Sequence, residues 1–200
     1  PLSEIEARII AGGGSPLGGA KPKALINING EPWVIKFFNN EPVDTPLVEH
    51  ATMTLAAQAG IMVAQTQIIP PVGFNAVAIR RFDRERELRI HSISAGTAIR
   101  AGTPTGLEPQ MGYPELARIL RRVGVAQGNV NQSDARELFR RMVFNILMDN
   151  TDDHEKNHAL LMADEALGTL ALSPAFDVLP SGQALGYQQM RVGQEGSDAT

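Results

Sequence analysis

The chain has no cysteine in its 200 residues. Disulfides and thiolate metal sites are therefore excluded, and a cytoplasmic protein is the expectation. Long apolar runs are missing too. The longest, Ala159-Leu160-Leu161-Met162-Ala163, is far short of the ~20 residues of a spanning helix, so no membrane association is expected. There is no surplus of positive charge: 18 Lys and Arg stand against 22 Asp and Glu. That balance speaks against direct nucleic-acid binding. No internal repeat or signal-peptide pattern is visible, and the chain begins at Pro1 without an initiator Met, as an internal fragment would. What is present is an ordinary globular composition, 43% hydrophobic and 20% charged, long enough for one large domain or two small lobes.

Leu2 to Ile10 reads as a short helix. Residues 12–19 hold five glycines, a density that only a loop accepts. Ala24–Asn29 and Trp33–Phe38 read as strands around a Gly30-Glu31-Pro32 turn. Leu47–Gly60 reads as a helix with an apolar stripe at Leu47, Ala51, Leu55 and Ala59. Thr66–Pro70 and Ala76–Phe82 read as further strands. Beyond a charged stretch, Arg81 to Arg89, the pattern turns helical. Glu115–Val123 is one helix, and Ser133 opens a longer one ending near Met148, with Leu138, Met142, Ile146 and Phe139, Val143 on adjoining apolar faces. Two short apolar runs follow, His158–Met162 and Thr169–Leu172, and the tail from Gln194 reads as disordered. The division expected is a small lobe over residues 1–82 and a larger one over 83–200.

The chemistry concentrates in Asn150-Thr151-Asp152-Asp153-His154-Glu155-Lys156-Asn157. Asp152 and Asn157 are five positions apart and Asp177 follows twenty residues later, which is how a protein kinase spaces its base and its metal-binding side chains. Phosphoryl transfer also needs a glycine loop, whose backbone N–H groups approach the phosphates closely, and residues 12–19, Gly18 and Gly19 among them, supply one. It needs a strand lysine for the phosphate oxygens. Lys36 stands between Ile35 and Phe37, although a lone strand lysine more often lies on an edge with its head in water. Glu49, on the following helix, is available to hold that lysine, but a lone helix glutamate is more often exposed. Asp152 is then the candidate base, with Asn157 and Asp177 as hard oxygen ligands for Mg²⁺.

A competing reading overlaps this one. His154-Glu155-Lys156-Asn157-His158 spells H-E-x-x-H, the zinc-hydrolase pattern, with Asp177 as a third ligand. It requires residues 154–167 to be helical, and Ala159–Ala163 has the propensity for that. Two lesser signals are weaker. Gly14 to Lys21 is nearly a P-loop, but its Lys is one place late and Pro22 replaces the Ser or Thr. Arg118, Arg121 and Arg122 read as a solvated helix face.

Four motifs in order carry a family resemblance: Gly18-Gly19-Ala20-Lys21-Pro22-Lys23-Ala24, Arg81-Phe82-Asp83-Arg84, Asn150 to Asn157, and Leu172-Ser173-Pro174-Ala175-Phe176-Asp177. Together they resemble the HipA-type serine/threonine kinases, toxins of bacterial type II toxin–antitoxin pairs. The resemblance implies an α+β, two-lobed core like protein kinases and phosphatidylinositol kinases, with a small β-rich lobe followed by a mostly helical one. It implies transfer of the ATP γ-phosphate to a protein Ser or Thr, with Mg²⁺. The targets in that family include aminoacyl-tRNA synthetases, and a DNA-binding antitoxin is the usual partner. Residue by residue, it makes Asp152 the base and Asn157 and Asp177 the Mg²⁺ ligands. It places Lys36 on the phosphates, His154 in the nucleotide site and Phe82 at the hinge by the adenine. Pro16 stands where family loops often carry an autophosphorylated serine. A third expectation is a truncated kinase fold acting as a binding module.

Overall fold

A computed structural model describes residues 23–37, 43–69, 76–85, 88–124, 133–182 and 186–193. The expected N-terminal helix, the glycine loop with Gly18 and Gly19, and the tail from Gln194 lie outside the described residues.

The chain opens on a hairpin. Strands β1 (Lys23–Ile28) and β2 (Glu31–Phe37) are joined by Asn29 and Gly30, both at positive φ (54° and 85°). That is the combination a tight two-residue hairpin turn requires. The Gly30 N–H donates to Asn27 Oδ1 at 2.7 Å and closes the turn. Glu31 and Pro32, expected in the turn, already belong to β2. Strands β3 (Thr66–Ile69) and β4 (Ala76–Arg80) complete an antiparallel sheet in the order β1-β2-β4-β3. β2 is therefore an interior strand. Its Ile35 is fully buried with Ile26, Trp33, Ala76 and Ala78.

Helix α1 (Thr45–Gln58) packs on this sheet. The Asp44 side chain caps it by accepting from the Leu47 N–H at 3.2 Å, and Pro46 sits in its first turn, where a missing N–H costs nothing. The apolar stripe expected to be buried is the wrong face. Leu47, Ala51, Leu55 and Ala59 are exposed, and the helix buries Pro46, Glu49, Thr52, Met53 and Ala56. A polar residue can lie inward when it finds a partner. Thr52 Oγ1 donates to the Val48 carbonyl at 2.8 Å, and Glu49 meets a buried cation described below.

A two-stranded ribbon, β5 (Arg84–Glu85) with β6 (Leu88–Arg89), leads to β7 (Ser92–Ser94). Three helices follow: α2 (Ala95–Gly102), α3 (Tyr113–Val123) and α4 (Ser133–Leu147). Strands β8 (Ala159–Asp164) and β9 (Thr169–Leu172) close the chain's second main sheet, in the order β7-β8-β9. Ile99, Leu116, Leu120, Leu138, Leu160, Leu172 and Met190 form the core between these helices and that sheet. On α4, Leu138 is buried, whereas Phe139 and Val143 face solvent at 61% and 36% exposure. The inward places go instead to Glu137, Arg141 and Asn145.

Those inward polar groups knit the chain together. Glu137 Oε1 accepts from the Met62 N–H and from Arg141 Nε, each at 3.0 Å. Arg141 Nη2 donates to the Ser173 carbonyl at 2.7 Å and the Met62 carbonyl at 3.3 Å. Residues 62–64 run alongside Ala175, with Ala175 N to Met62 O and Ala64 N to Ala175 O both 2.8 Å. This junction carries the segment after β9 back to the first sheet.

Candidate active site

The junction delivers Asp177 to β2. Lys36 Nζ donates to Glu49 Oε1 at 2.7 Å and to Asp177 Oδ1 at 2.5 Å. One lysine thus joins a strand, a helix and the segment after β9. Lys36 is buried at 7% exposure, so its head is not in water as an edge-strand lysine's would be. Glu49 is completely buried, against the usual habit of a helix glutamate. Burial opposes the Lys36 charge, but Glu49 and Asp177 outweigh it and raise the pKa above the usual lysine value. Asp177 responds in the opposite direction. Burial would raise its pKa, and the charge and hydrogen bond of Lys36, helped by Lys23 and His154, hold it below the usual carboxylate value.

Asp177 adopts φ +59°, a left-handed conformation uncommon outside glycine. Such strain persists where surrounding structure enforces it. Here Ala175 is clamped to residues 62–64 on one side, and the Phe176 ring packs 5.3 Å from that of Phe82. Phe82 therefore lies one residue from Asp177 in space, at the exit of β4. About a third of the Asp177 side chain (35%) faces solvent, enough for a ligand to reach it.

The loop between α4 and β8 carries two pairs of residues spaced five apart. Outward is Asp152, exposed, with the buried Asn157 donating its Nδ2 to the Asp152 carbonyl at 3.3 Å. Inward is Asp153, whose carboxylate accepts from His158 Nε2 at 2.9 Å and from the Tyr113 hydroxyl. Asn145 Nδ2 donates to the Tyr113 oxygen at 3.1 Å, and Asn150 Nδ2 donates to Asn145 Oδ1 at 3.2 Å. Burial would raise the Asp153 pKa, but His158 and these donors bring it below the usual value. Burial and the neighbouring Asp153 push the Tyr113 hydroxyl well above the tyrosine norm. The inward pair anchors the loop in the core and leaves Asp152 on the surface.

The far side of the loop rests on α2. The N–H groups of Ala95 and Gly96 donate to the carbonyls of His158 (2.8 Å) and Glu155 (3.3 Å). A Cβ at Gly96 would lie 2.4 Å from Glu155 Cγ, so glycine permits this contact. Along the other edge, Gln189 Nε2 donates to Asp152 Oδ1 at 2.7 Å, and the Met190 N–H donates to the Asp153 carbonyl at 3.1 Å.

The structure thus unites Lys36, Glu49 and Asp177 directly, and sets Asp152 and Asn157 on one loop. His154 is half-buried, its Nδ1 accepting from the Lys156 N–H at 3.3 Å. Gly18 and Gly19 lie outside the described residues. Lys23, Gln189, and the Tyr113–Asp153–His158 cluster are site features the sequence reading missed. Lys23 had a signal, since it stands opposite Lys36 in the β1–β2 register.

The zinc-hydrolase reading is overturned. Residues 154–158 form turns, and Ala159–Asp164 is a strand paired with β7 and β9. His154 and His158 therefore do not share a helix face, and His158 is committed to the buried Asp153. Among the described residues no three His, Cys, Asp or Glu side chains cluster to hold a metal. The arginines of α3 are exposed as expected, with Arg118 paired to Glu115 at 3.0 Å. No helix among the described residues is long and apolar enough to cross a membrane.

Comparison with known proteins adds an independent line. The family pattern described as the HipA-like C-terminal domain matches residues 15–200. A Sinorhizobium fredii protein named putative kinase Y4dM is 32% identical in an alignment of 162 residues that covers 75% of this chain and 37% of that protein. The HipA toxin of Shewanella oneidensis MR-1, solved with HipB and its operator DNA, superposes with a TM-score of 0.67 at 20% identity, over 88% of this chain and 47% of the other. The Helicobacter pylori proinflammatory kinase CtkA superposes with a TM-score of 0.60 at 16% identity, over 82% of this chain and 54% of the other. The chain shares the mixed α+β fold of these kinase structures and spans about half of their length or less.

Proposed function

The chain belongs to the HipA-like C-terminal domain family, and from that premise we propose that it is the core of an ATP- and Mg²⁺-dependent protein serine/threonine kinase. The observation that carries this reading is Lys36, bonded at once to Glu49 and Asp177. Phosphoryl transfer is chiefly positioning and charge neutralisation. A buried lysine held between a helix glutamate and an aspartate is a fixed positive charge aimed where phosphate oxygens would lie.

The roles proposed are these. Lys36, with Lys23 beside it, binds the nucleotide phosphates. His154 lines the same site, Phe82 flanks the adenine, and Gly18 and Gly19 belong to the loop over the phosphates. Asn157 Oδ1 and the Asp177 carboxylate are hard oxygen donors, the Asn157 amide nitrogen being turned to the Asp152 carbonyl, and a magnesium ion held by two side chains with phosphate and water oxygens would need no larger protein cluster. When bound there, Mg²⁺ neutralises charge on the phosphate oxygens. Asp152, exposed to an incoming protein, takes the proton of the substrate hydroxyl.

In this reading the first sheet and α1 form a small lobe over residues 1–82, and residues 83–200 form the larger one. The substrate is a protein Ser or Thr in the cytoplasm, an aminoacyl-tRNA synthetase being one class of target. A DNA-binding antitoxin is a candidate partner, supported by the HipA structure solved with HipB and operator DNA. The test is transfer of labelled γ-phosphate from ATP to dephosphorylated casein. Transfer by the chain that Asp152→Asn reduces about 10²- to 10⁴-fold supports the reading. Undiminished transfer by that variant contradicts it, and ATP binding without transfer in either chain favours the binding-module alternative.

A further inference from the structure

We propose that Gln189 is a positioning residue that orients the Asp152 carboxylate for transfer, an inference that rests on Asp152 being the base. Asp152 is exposed, and an exposed aspartate turns freely about two side-chain bonds. A general base works only within hydrogen-bond reach of the proton it takes, in a defined direction. Something must therefore fix this carboxylate. The loop's buried anchor, Asp153, fixes the backbone but not the neighbouring side chain.

Gln189 is built to do so. Its own backbone is held by the residues that follow it. Met190 is fully buried, and its N–H donates to the Asp153 carbonyl at 3.1 Å. The Arg191 N–H donates to the Met111 carbonyl at 3.0 Å, and the Arg191 carbonyl accepts from the Tyr113 N–H at 2.9 Å. Gly112 permits that approach, because a Cβ there would stand 2.9 Å from Arg191 Cβ and 3.1 Å from its carbonyl oxygen. Tyr113 in turn bonds Asp153. Gln189 and Asp152 thus stand on two segments locked to each other through Asp153, and the 2.7 Å bond from Nε2 to Oδ1 lies between fixed backbones.

The chemistry suits a neutral amide. With Oδ1 occupied by the N–H, Oδ2 is turned to the incoming hydroxyl. The hydroxyl proton passes to Oδ2, the hydroxyl oxygen forms the new bond to the γ-phosphorus, and the bridging P–O bond breaks with its electron pair leaving on ADP. A lysine in place of Gln189 would pair with the carboxylate as an ion and resist its taking a proton. An amide orients without that opposition.

The test measures kcat and the KM for ATP with casein as acceptor, in the full chain and five variants, Asp152→Asn among them. Gln189→Ala removes the donor and Gln189→Glu replaces it with a repelling carboxylate at equal size. Both are expected to lower kcat about 10- to 100-fold, the worth of one charge-assisted hydrogen bond, with KM for ATP within about twofold. Gln189→His keeps a neutral N–H at similar reach and is expected to recover at least part of the loss. Gly112→Val, which crowds Glu115 and Arg191 without touching Asp152, is expected to lower kcat as well. Transfer by Gln189→Ala that equals or exceeds that of the unsubstituted chain overturns the positioning role alone. Equal losses in the Ala and His variants overturn it too, by showing a merely steric role. Transfer that Asp152→Asn does not diminish, or no transfer by any chain, overturns the reading of the base on which it rests.

Discussion

Lys36 Nζ and Asp177 Oδ1 are 2.5 Å apart across 141 residues of chain. No local element could bring them together. The contact depends on the Glu137–Arg141 pair of α4, which holds the carbonyls of Met62 and Ser173 and so seats residues 173–177 against the first sheet. The site is therefore a product of tertiary structure.

Removing the lysine should expose how the buried charges depend on one another. Lys36→Met removes the cation bonded to the fully buried Glu49 and is expected to destabilise the fold by about 3–5 kcal/mol. Adding Glu49→Gln should restore a large part of that loss. Urea unfolding of the two single variants and the double variant checks this, and additive effects would contradict it.

The pH dependence of the same contact has a definite sign. Asp177 has its pKa lowered on folding, so its contribution is present above the usual carboxylate value of about 4 and is lost as pH falls through the lower folded value. Lys36 has its pKa raised, so its contribution is complete below about pH 10 and is lost as pH rises through the higher folded value. The stability difference between the unsubstituted chain and Asp177→Asn should hold steady from about pH 5 to 9 and shrink at either extreme. Denaturant titrations across pH measure it, and a difference that peaks at acid pH would be contrary.

Much of the fold was legible in the residues, and the misses have physical causes. The β1–β2 pair was expected from its two strand patterns, with the turn placed at Gly30-Glu31-Pro32 instead of Asn29-Gly30, and α3 and α4 followed from helical period. Helix α2 was not seen, because Ala95-Gly96-Thr97-Ala98 has neither an apolar stripe nor a strong helix former at its glycine, and contact with the loop decides its place. β8 looked helical by propensity, but two partner strands override a local preference. The exposed stripe on α1 misled because the inward face carries Glu49 and Thr52, whose polarity is satisfied only by groups distant in sequence or by the helix itself. Asp152, Asn157 and Asp177 were proposed from their spacing, and the structure brings Asp177 to Lys36 and keeps Asp152 and Asn157 on one loop. Gln189 could not be, since nothing in the local sequence tells that its segment runs beside the loop.

The inward clamp of the loop should register in stability. Tyr113→Phe removes one donor from the buried Asp153 and is expected to cost about 1–3 kcal/mol by thermal or urea unfolding. Transfer should fall as well, because the loop bearing Asp152 loses an anchor. Unchanged stability would mean that the hydroxyl contributes nothing to holding Asp153.

Gly96 tests the other support of the loop. Gly96→Val would drive a side chain into Glu155, and transfer should drop about tenfold or more while the chain remains folded by circular dichroism. Activity equal to the unsubstituted chain would show that the α2 contact does not govern the loop's geometry.

The role proposed for Asp177, held by Lys36, is as part of a nucleotide–metal site. Titration calorimetry with ATP, with and without Mg²⁺, on the unsubstituted chain and on Asp177→Ala tests it most directly. The expected result is Mg²⁺-dependent ATP binding that Asp177→Ala loses. ATP binding that ignores Mg²⁺ and survives Asp177→Ala, or no binding with Mg²⁺ present, would contradict it.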